Sequence, residues 1–257
     1  MEDKTKLIVI RSNDGGIIKF ESHTALSSTS ALAKHYAQSG YPDRFVVFCD
    51  KRILDDGEVE NGLYMSILLR PSIFSSQAAL LNAMSATAMI TALEEHTDKR
   101  LGIGWVSDLF CEGVKVGGST IEGKLDKYSA YEYLIITYSI KLDESNFPPR
   151  LNDMIREVFE SDNTSISMIM AKNILTKFFA LYVNYKTSSK FMATYSEKFI
   201  FRGMRVKYLD GTKKRSLRVL NVDSKTGALV LDAPNNGSPI LVYSTRNVIL
   251  PKKVRIK

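Results

Sequence analysis

Leu101 to Glu122 reads LGIGWVSDLFCEGVKVGGSTIE, and the fold is decided there. An apolar run leads to Trp105, the only tryptophan of the chain, and Asp108 follows three residues later. Glu112-Gly113 is a turn signal, Lys115 stands between Val114 and Val116, and Gly117 and Gly118 precede a polar, β-branched exit. This spacing predicts two short strands joined by a tight turn. Lys115 then sits on the returning strand with its flanking valines packed on the opposite face. The glycine pair offers backbone that a ligand can approach closely. The same residues also fit an ordinary hairpin carrying one solvated lysine.

The flanking chain supplies further elements. Leu7 to Ile10 and Ile17 to Phe20 read as strands around a turn at Asn13-Asp14-Gly15-Gly16. Residues 27 to 40 (SSTSALAKHYAQSG) read as a helix, with Ser28, Thr29 and Ser30 as candidate caps and Gly40 as its stop. Phe45 to Cys49 is a continuous apolar run, suited to a strand covered on both faces. Asp50 to Asn61 reads as an acidic loop, and Gly62 to Pro71 as a strand. Gln77 to about Glu95 is a buried helix, since Asn82, Ser85, Thr87 and Thr91 interrupt it as a membrane span. Tyr133 to Leu142 is another apolar strand. Helices are expected at Leu151 to Glu160 and Ser165 to Tyr185, divided by Ser161-Asp162-Asn163-Thr164. From Phe199 the texture is all-β, with turns at Asp210-Gly211 and Asn236-Gly237.

Read in order, these segments resemble the biotin–protein ligases. That family's centre is roughly K-W-P-N-D-L, a hairpin turn, then K-x-A/G-G-I-L-x-E. Trp105, Asp108, Leu109, Lys115, Gly118 and Glu122 agree in register, while Gly104 and Ser107 replace the first lysine and the asparagine. Ser28-Thr29-Ser30 is similar to the family's S-T-N, where a helix meets biotin. Gly62 to Pro71 resembles G-x-L-Y-x-S-I/L-x-L-R-P, Phe147-Pro148-Pro149-Arg150-Leu151 resembles the family's turn into its last helices, and Gly227-Ala228-Leu229 resembles the G-A-L of the closing SH3-like barrel. Two places depart. The loop G-R-G-R-x-G-R-x-W, which folds over biotin and the adenylate, is replaced by Asp50 to Asn61, with Arg52 at the family's glutamine. The glycine–asparagine strand I-G-x-G-I/L-N has Thr137, Ser139 and Lys141 in those places.

The resemblance implies an α+β fold, a class II synthetase-like mixed sheet with flanking helices and a small C-terminal SH3-like β-barrel. Residues 1–196 would form the biotin/lipoate ligase-like catalytic domain and residues 197–257 the barrel. The implied activity is ATP-dependent attachment of biotin, through biotinyl-AMP, to a lysine of a biotin carrier domain, that of acetyl-CoA carboxylase or similar. ATP, biotin and Mg²⁺ are the implied reagents. Lys115 and Asp108 are the implied catalytic pair. Ser28, Thr29, Ser30, Arg52, Lys115, Gly117 and Gly118 are implied at biotin, and Trp105, Ser107, Lys115 and Lys141 at ATP. The alternatives are a non-catalytic relative that binds a carrier protein or small ligand, and a lipoate or octanoate ligase.

Composition sets the bounds. The chain has 257 residues and a net charge of +7, spread unevenly. From Glu197 onward 14 Lys/Arg stand against 4 Asp/Glu, a net of +10, and residues 1–196 carry −3. A basic small domain suits nucleic acid and an acidic protein partner equally. Without an aromatic platform interleaved with arginines, nucleic acid is not the expected partner. No helix-turn-helix pattern precedes the first strand, so no DNA-binding extension is expected. The charged start MEDKTK lacks a signal-peptide core, and Cys49 and Cys111 have no metal-ligand spacing. A cytoplasmic protein with no membrane partner is expected, and a homodimer is compatible with this reading.

Overall fold

A computed structural model describes residues 5–12, 15–75, 78–142, 165–183, 189–211, 213–233, 237–251 and 253–254. The expected turn at 147–151, the helix at 151–160 and its divider at 161–164 lie outside the described residues, as do Asn13, Asp14, Gln77 and Asn236.

An eight-stranded mixed sheet forms the larger part, in the order β1-β2-β3-β4-β8-β7-β6-β5. Its strands are β1 (Lys6–Arg11), β2 (Ile17–His23), β3 (Phe45–Ile53), β4 (Val59–Leu69), β5 (Leu101–Gly104), β6 (Asp108–Cys111), β7 (Val114–Leu125) and β8 (Tyr131–Lys141). β2 and β3 pair in parallel, and the other neighbours are antiparallel. A parallel pair needs a crossover, which helix α1 (Thr29–Gln38) supplies. Ser28 caps α1, its Oγ accepting the Ala31 N–H at 3.1 Å. Gly40 then turns the chain out with φ of 80°, a region that favours glycine.

β3 shows why its apolar run is continuous. Phe45 and Val47 pack with Ala33 and Ala37 of α1 in a small cluster. Val46 and Phe48 pack into the main core on the other side. That core is filled by α2 (Ala78–Glu94), whose Met84, Ala86, Ala88, Met89, Ile90 and Leu93 are all fully buried. A helix apolar all round must be covered all round. The sheet covers one side, and α3 (Ile166–Tyr182) and α4 (Ser189–Lys198) cover the rest. The composition of α4 (SKFMATYSEK) hid it from the sequence reading. No helix among the described residues is long and apolar enough to cross a membrane.

A second, five-stranded antiparallel sheet follows, in the order β12-β11-β10-β9-β13. It uses β9 (Arg205–Asp210), β10 (Lys213–Val222), β11 (Leu229–Leu231), β12 (Ile240–Val242) and β13 (Val248–Ile249). This is the SH3-like unit expected at the C-terminus. Its Val206, Leu217 and Val219 join the same buried cluster as Trp105 and Phe110, so the two sheets share one core. The expected boundary after residue 196 falls in the last turn of α4.

The stretch 101–122 forms three strands where two were expected, because residues 101–104 pair with 108–111 before the turn at Glu112-Gly113. Both turn residues have positive φ, 47° and 83°, as a two-residue hairpin turn of this hand requires. Of the valines flanking Lys115, Val116 is buried but Val114 is 45 % exposed.

Candidate functional site

A pocket of about 140 Å³ opens at the N-terminus of α1. Ser27, Ser28, Thr29 and Ser30 form one side, Cys49 and Arg52 of β3 another, and Tyr64, Thr137 and Ser139 of β4 and β8 the floor. Strand register explains the convergence. Cys49 pairs with Tyr64, Tyr64 with Ser139, Ser139 with Gly118, and Gly118 with Asp108. Directly paired residues share a face of a sheet, so this row carries the pocket floor across to Asp108 on the α1 side. Beneath it a hydroxyl ladder ties helix to sheet: Thr29 Oγ1 to Ser66 Oγ at 2.8 Å, and Ser66 Oγ to Thr137 Oγ1 at 2.9 Å. Burial pushes the Cys49 thiol up to about 12, the leading cause over the hydrogen bonds it receives, so it stays a protonated wall and not a nucleophile.

The segment expected to be a loop is largely strand. β3 runs on to Ile53 and β4 starts at Val59, with Arg52 paired to Glu60. The Leu54 N–H donates to the Glu58 carbonyl at 2.8 Å, and the Gly57 N–H to the Leu54 carbonyl at 2.9 Å. Asp56-Gly57 is the dipeptide that closes such turns. On its other edge the extension is held by Leu26, whose N–H donates to the Lys51 carbonyl at 3.2 Å.

On this hairpin lies a residue the sequence reading passed over. Glu60 accepts from Arg52 Nη2 at 2.6 Å and from the Tyr64 hydroxyl at 2.8 Å, and Lys141 Nζ contacts its other oxygen. The Arg52 guanidinium also lies over the Tyr64 ring, 5.1 Å from its centroid. Burial works against the Glu60 charge, but the hydrogen bonds from Lys141 and Tyr64 and the charges of Lys141 and Arg52 outweigh it and hold the carboxyl below the usual range. Gly62 makes room for this arrangement, since a Cβ there would meet the Tyr64 hydroxyl at 2.9 Å and the Ile140 carbonyl at 2.5 Å. The signal was the alternation Glu60, Gly62, Tyr64 along one strand face.

The other expected site residues divide into two groups. Lys115 Nζ pairs with Asp108 Oδ1 at 2.7 Å, across a bulge where β6 and β7 change register between Leu109 and Phe110. Both side chains reach solvent, 44 % and 29 % exposed, and they stand along the sheet from the pocket, not in its wall. Trp105, expected as a wall against the nucleotide, is 2 % exposed and donates its indole N–H to the Gly227 carbonyl of the C-terminal sheet region at 3.0 Å. Ser107, also expected at ATP, is 4 % exposed and gives its hydroxyl to the Ser119 carbonyl at 2.6 Å. The Tyr195 hydroxyl of α4 donates to the Val106 carbonyl at 2.7 Å. Burial, with the Asp108 charge, pushes that phenol far above its usual value.

The glycine pair serves packing. A Cβ on Gly117 would lie 2.3 Å from the Ser139 carbonyl and 2.8 Å from Ile140 Cα, and one on Gly118 2.7 Å from the Ser107 carbonyl. Those neighbours are backbone of β8 and of the turn that leads into β6, and they cannot yield. Gly117→Ala is expected to destabilise by about 1–3 kcal/mol, the range for overpacking a filled interior. Urea unfolding measures it, and a midpoint equal to that of the parent would refute the steric account.

No protein-family model matches the chain. The bifunctional ligase/repressor BirA of Bacillus subtilis is 25 % identical over 224 residues, which cover 82 % of this chain and 68 % of BirA. A mutant of Aquifex aeolicus biotin protein ligase in complex with biotin superposes with a TM-score of 0.67 at 20 % identity, over 91 % of this chain and 98 % of that one. The same enzyme in complex with biotin and ATP gives 0.59 at 20 % identity, over 86 % and 95 %. The class is thereby fixed by its architecture as the biotin ligase-like fold. Sequence and fold are both similar to those of biotin–protein ligases.

Proposed function

We propose that the chain activates biotin with ATP and passes the biotinyl group to a lysine of a biotin carrier domain. The observation that carries this reading is the pocket at the start of α1, set on the same sheet row as Asp108 and its partner Lys115. In the first step a biotin carboxylate oxygen attacks the α-phosphorus of ATP and pyrophosphate leaves. In the second, a lysine amine attacks the mixed anhydride, giving the amide, AMP and a proton. Both steps gather negative charge on oxygen, which a cation fixed in place stabilises.

In this reading Ser28, Ser30, Thr137 and Ser139 receive the biotin head group, and Lys115, oriented by Asp108, faces the carboxylate and α-phosphate. Mg²⁺ would arrive on the ATP phosphates, since this ion dehydrates reluctantly and is held at such sites mainly by substrate phosphates. The carrier domain of a biotin-dependent carboxylase, acetyl-CoA carboxylase included, is the proposed acceptor. A basic sheet supports an acidic carrier: Arg205 stands opposite Arg218, and Lys207 opposite Ser216, all exposed. The buried thiols of Cys49 and Cys111 suit the reducing cytoplasm.

One observation favours a second reading, a relative that binds without catalysing: Glu60 engages Arg52 and Lys141, two cations that would otherwise meet an anion. A single assay separates the two. Purified protein with ATP, Mg²⁺ and biotin is expected to release pyrophosphate and then label a carrier domain. Labelling from lipoate or octanoate instead moves the chemistry to that transfer, and no adenylate from any of the three acids leaves the binding reading.

A further inference from the structure

Glu60 stands at a point where a ligand-binding rim would otherwise be strongly positive. Arg52 lines the pocket, Lys141 comes from the strand beside it, and the N-terminus of α1 opens into the same space. Two cations and a helix N-terminus together make an anion site. One carboxylate here engages both cations at once. The Arg52 side chain is committed within the chain: its plane to the Tyr64 ring and its Nη2 to Glu60. Its Nε is covered and has no hydrogen-bond partner among the described residues. Arg52 is therefore placed by Glu60 and Tyr64, at the expense of one of its own donors. Apart from Arg52, Leu26 and Cys49, the pocket is lined by hydroxyl side chains, which donate and accept equally well and carry no charge.

We propose that Glu60 is a specificity-determining, positioning residue, which engages Arg52 and Lys141 together and offsets one of their two charges, so that the pocket favours a polar, uncharged head group over an anionic one. The inference rests on the reading that this pocket receives the head of the ligand. A ureido ring is of the selected class, and a second carboxylate is of the excluded one. Glu60 acts through Arg52 and Lys141, so removing its charge changes which ligand is favoured and not merely how well the chain folds.

The test is calorimetric titration of the full chain with two probes, biotin and octanedioate, alongside a melting curve. The parent protein is expected to favour biotin. Glu60→Gln keeps the shape and removes the charge, and it should swing the ratio of affinities towards octanedioate by about tenfold or more, the scale of one unit charge a few ångströms away at a partly exposed site. Adding Arg52→Gln to that variant should cancel the swing. Lys141→Ala supplies the same test with opposite sign should Glu60→Gln not fold, lowering octanedioate affinity relative to biotin. A parent that binds biotin and a Glu60→Gln protein with an unchanged ratio would overturn the inference and leave the proposed function standing. A parent that favours octanedioate, or binds neither probe, would overturn both.

Discussion

Lys115→Ala is expected to lower the rate of adenylate formation by about a hundred- to a thousandfold, the usual cost of losing one preorganised donor to a developing oxyanion. The fold should barely register the change. The Lys115–Asp108 pair reaches solvent at both ends, and an ion pair of that kind contributes about 0–1 kcal/mol to stability. Lys115→Arg should restore little, because a planar guanidinium cannot take the place of a compact ammonium on a strand bounded by Asp108 and a glycine pair. Pyrophosphate release under saturating ATP and biotin is the measurement, with a melting curve as the control. Near-parental release by Lys115→Ala would remove Lys115 from the reaction. A large loss of melting temperature would mean that its pairing with Asp108 is structural.

Trp105→Ala is expected to have the largest effect on stability of any single change, about 3–5 kcal/mol, as truncating a buried tryptophan usually does. That is a large part of the total stability of an ordinary domain. The indole is buried in the core shared by both sheets and holds the Gly227 carbonyl. Trp105→Phe separates the two contributions. It keeps most of the packing but strands that carbonyl, for about 1–3 kcal/mol. Denaturant unfolding followed by tyrosine fluorescence and by circular dichroism gives both values. Tolerance of Trp105→Ala within 1 kcal/mol, roughly the reach of a surface substitution, would show that the sheets are held by other contacts.

These two residues mark where sequence reasoning reached and where it stopped. The strand position of Lys115 was legible, because a turn signal before it and alternating valines around it mark a returning strand, and β7 carries it as expected. Ser28 was legible as a cap because hydroxyls before an apolar-periodic run satisfy a helix N-terminus, and it caps α1 as expected. Trp105 was not legible, since an aromatic that fills an inter-sheet core looks the same in sequence as one that walls a ligand. The glycines misled for a similar reason. Both roles require the absence of a Cβ, and only the neighbouring strands show that backbone, not ligand, occupies the space. Glu60 escaped because its stretch is charged and contains Asp-Asp-Gly, which reads as loop until the pairing of Arg52 with Glu60 is seen. α4 escaped because its helix is amphipathic over only ten residues.

The closed hairpin between Ile53 and Val59 has a thermodynamic consequence. A rim whose backbone is already hydrogen-bonded surrenders little conformational entropy when a ligand arrives, so association need not wait for a segment to fold. The heat-capacity change on binding should then reflect the area of the pocket alone, without the larger decrement that accompanies coupled folding. This hairpin, already paired, is then not a segment that folds down after entry. A ligand beside it is expected to leave at a rate set by its contacts with the pocket and not by the unfolding of residues 53–59.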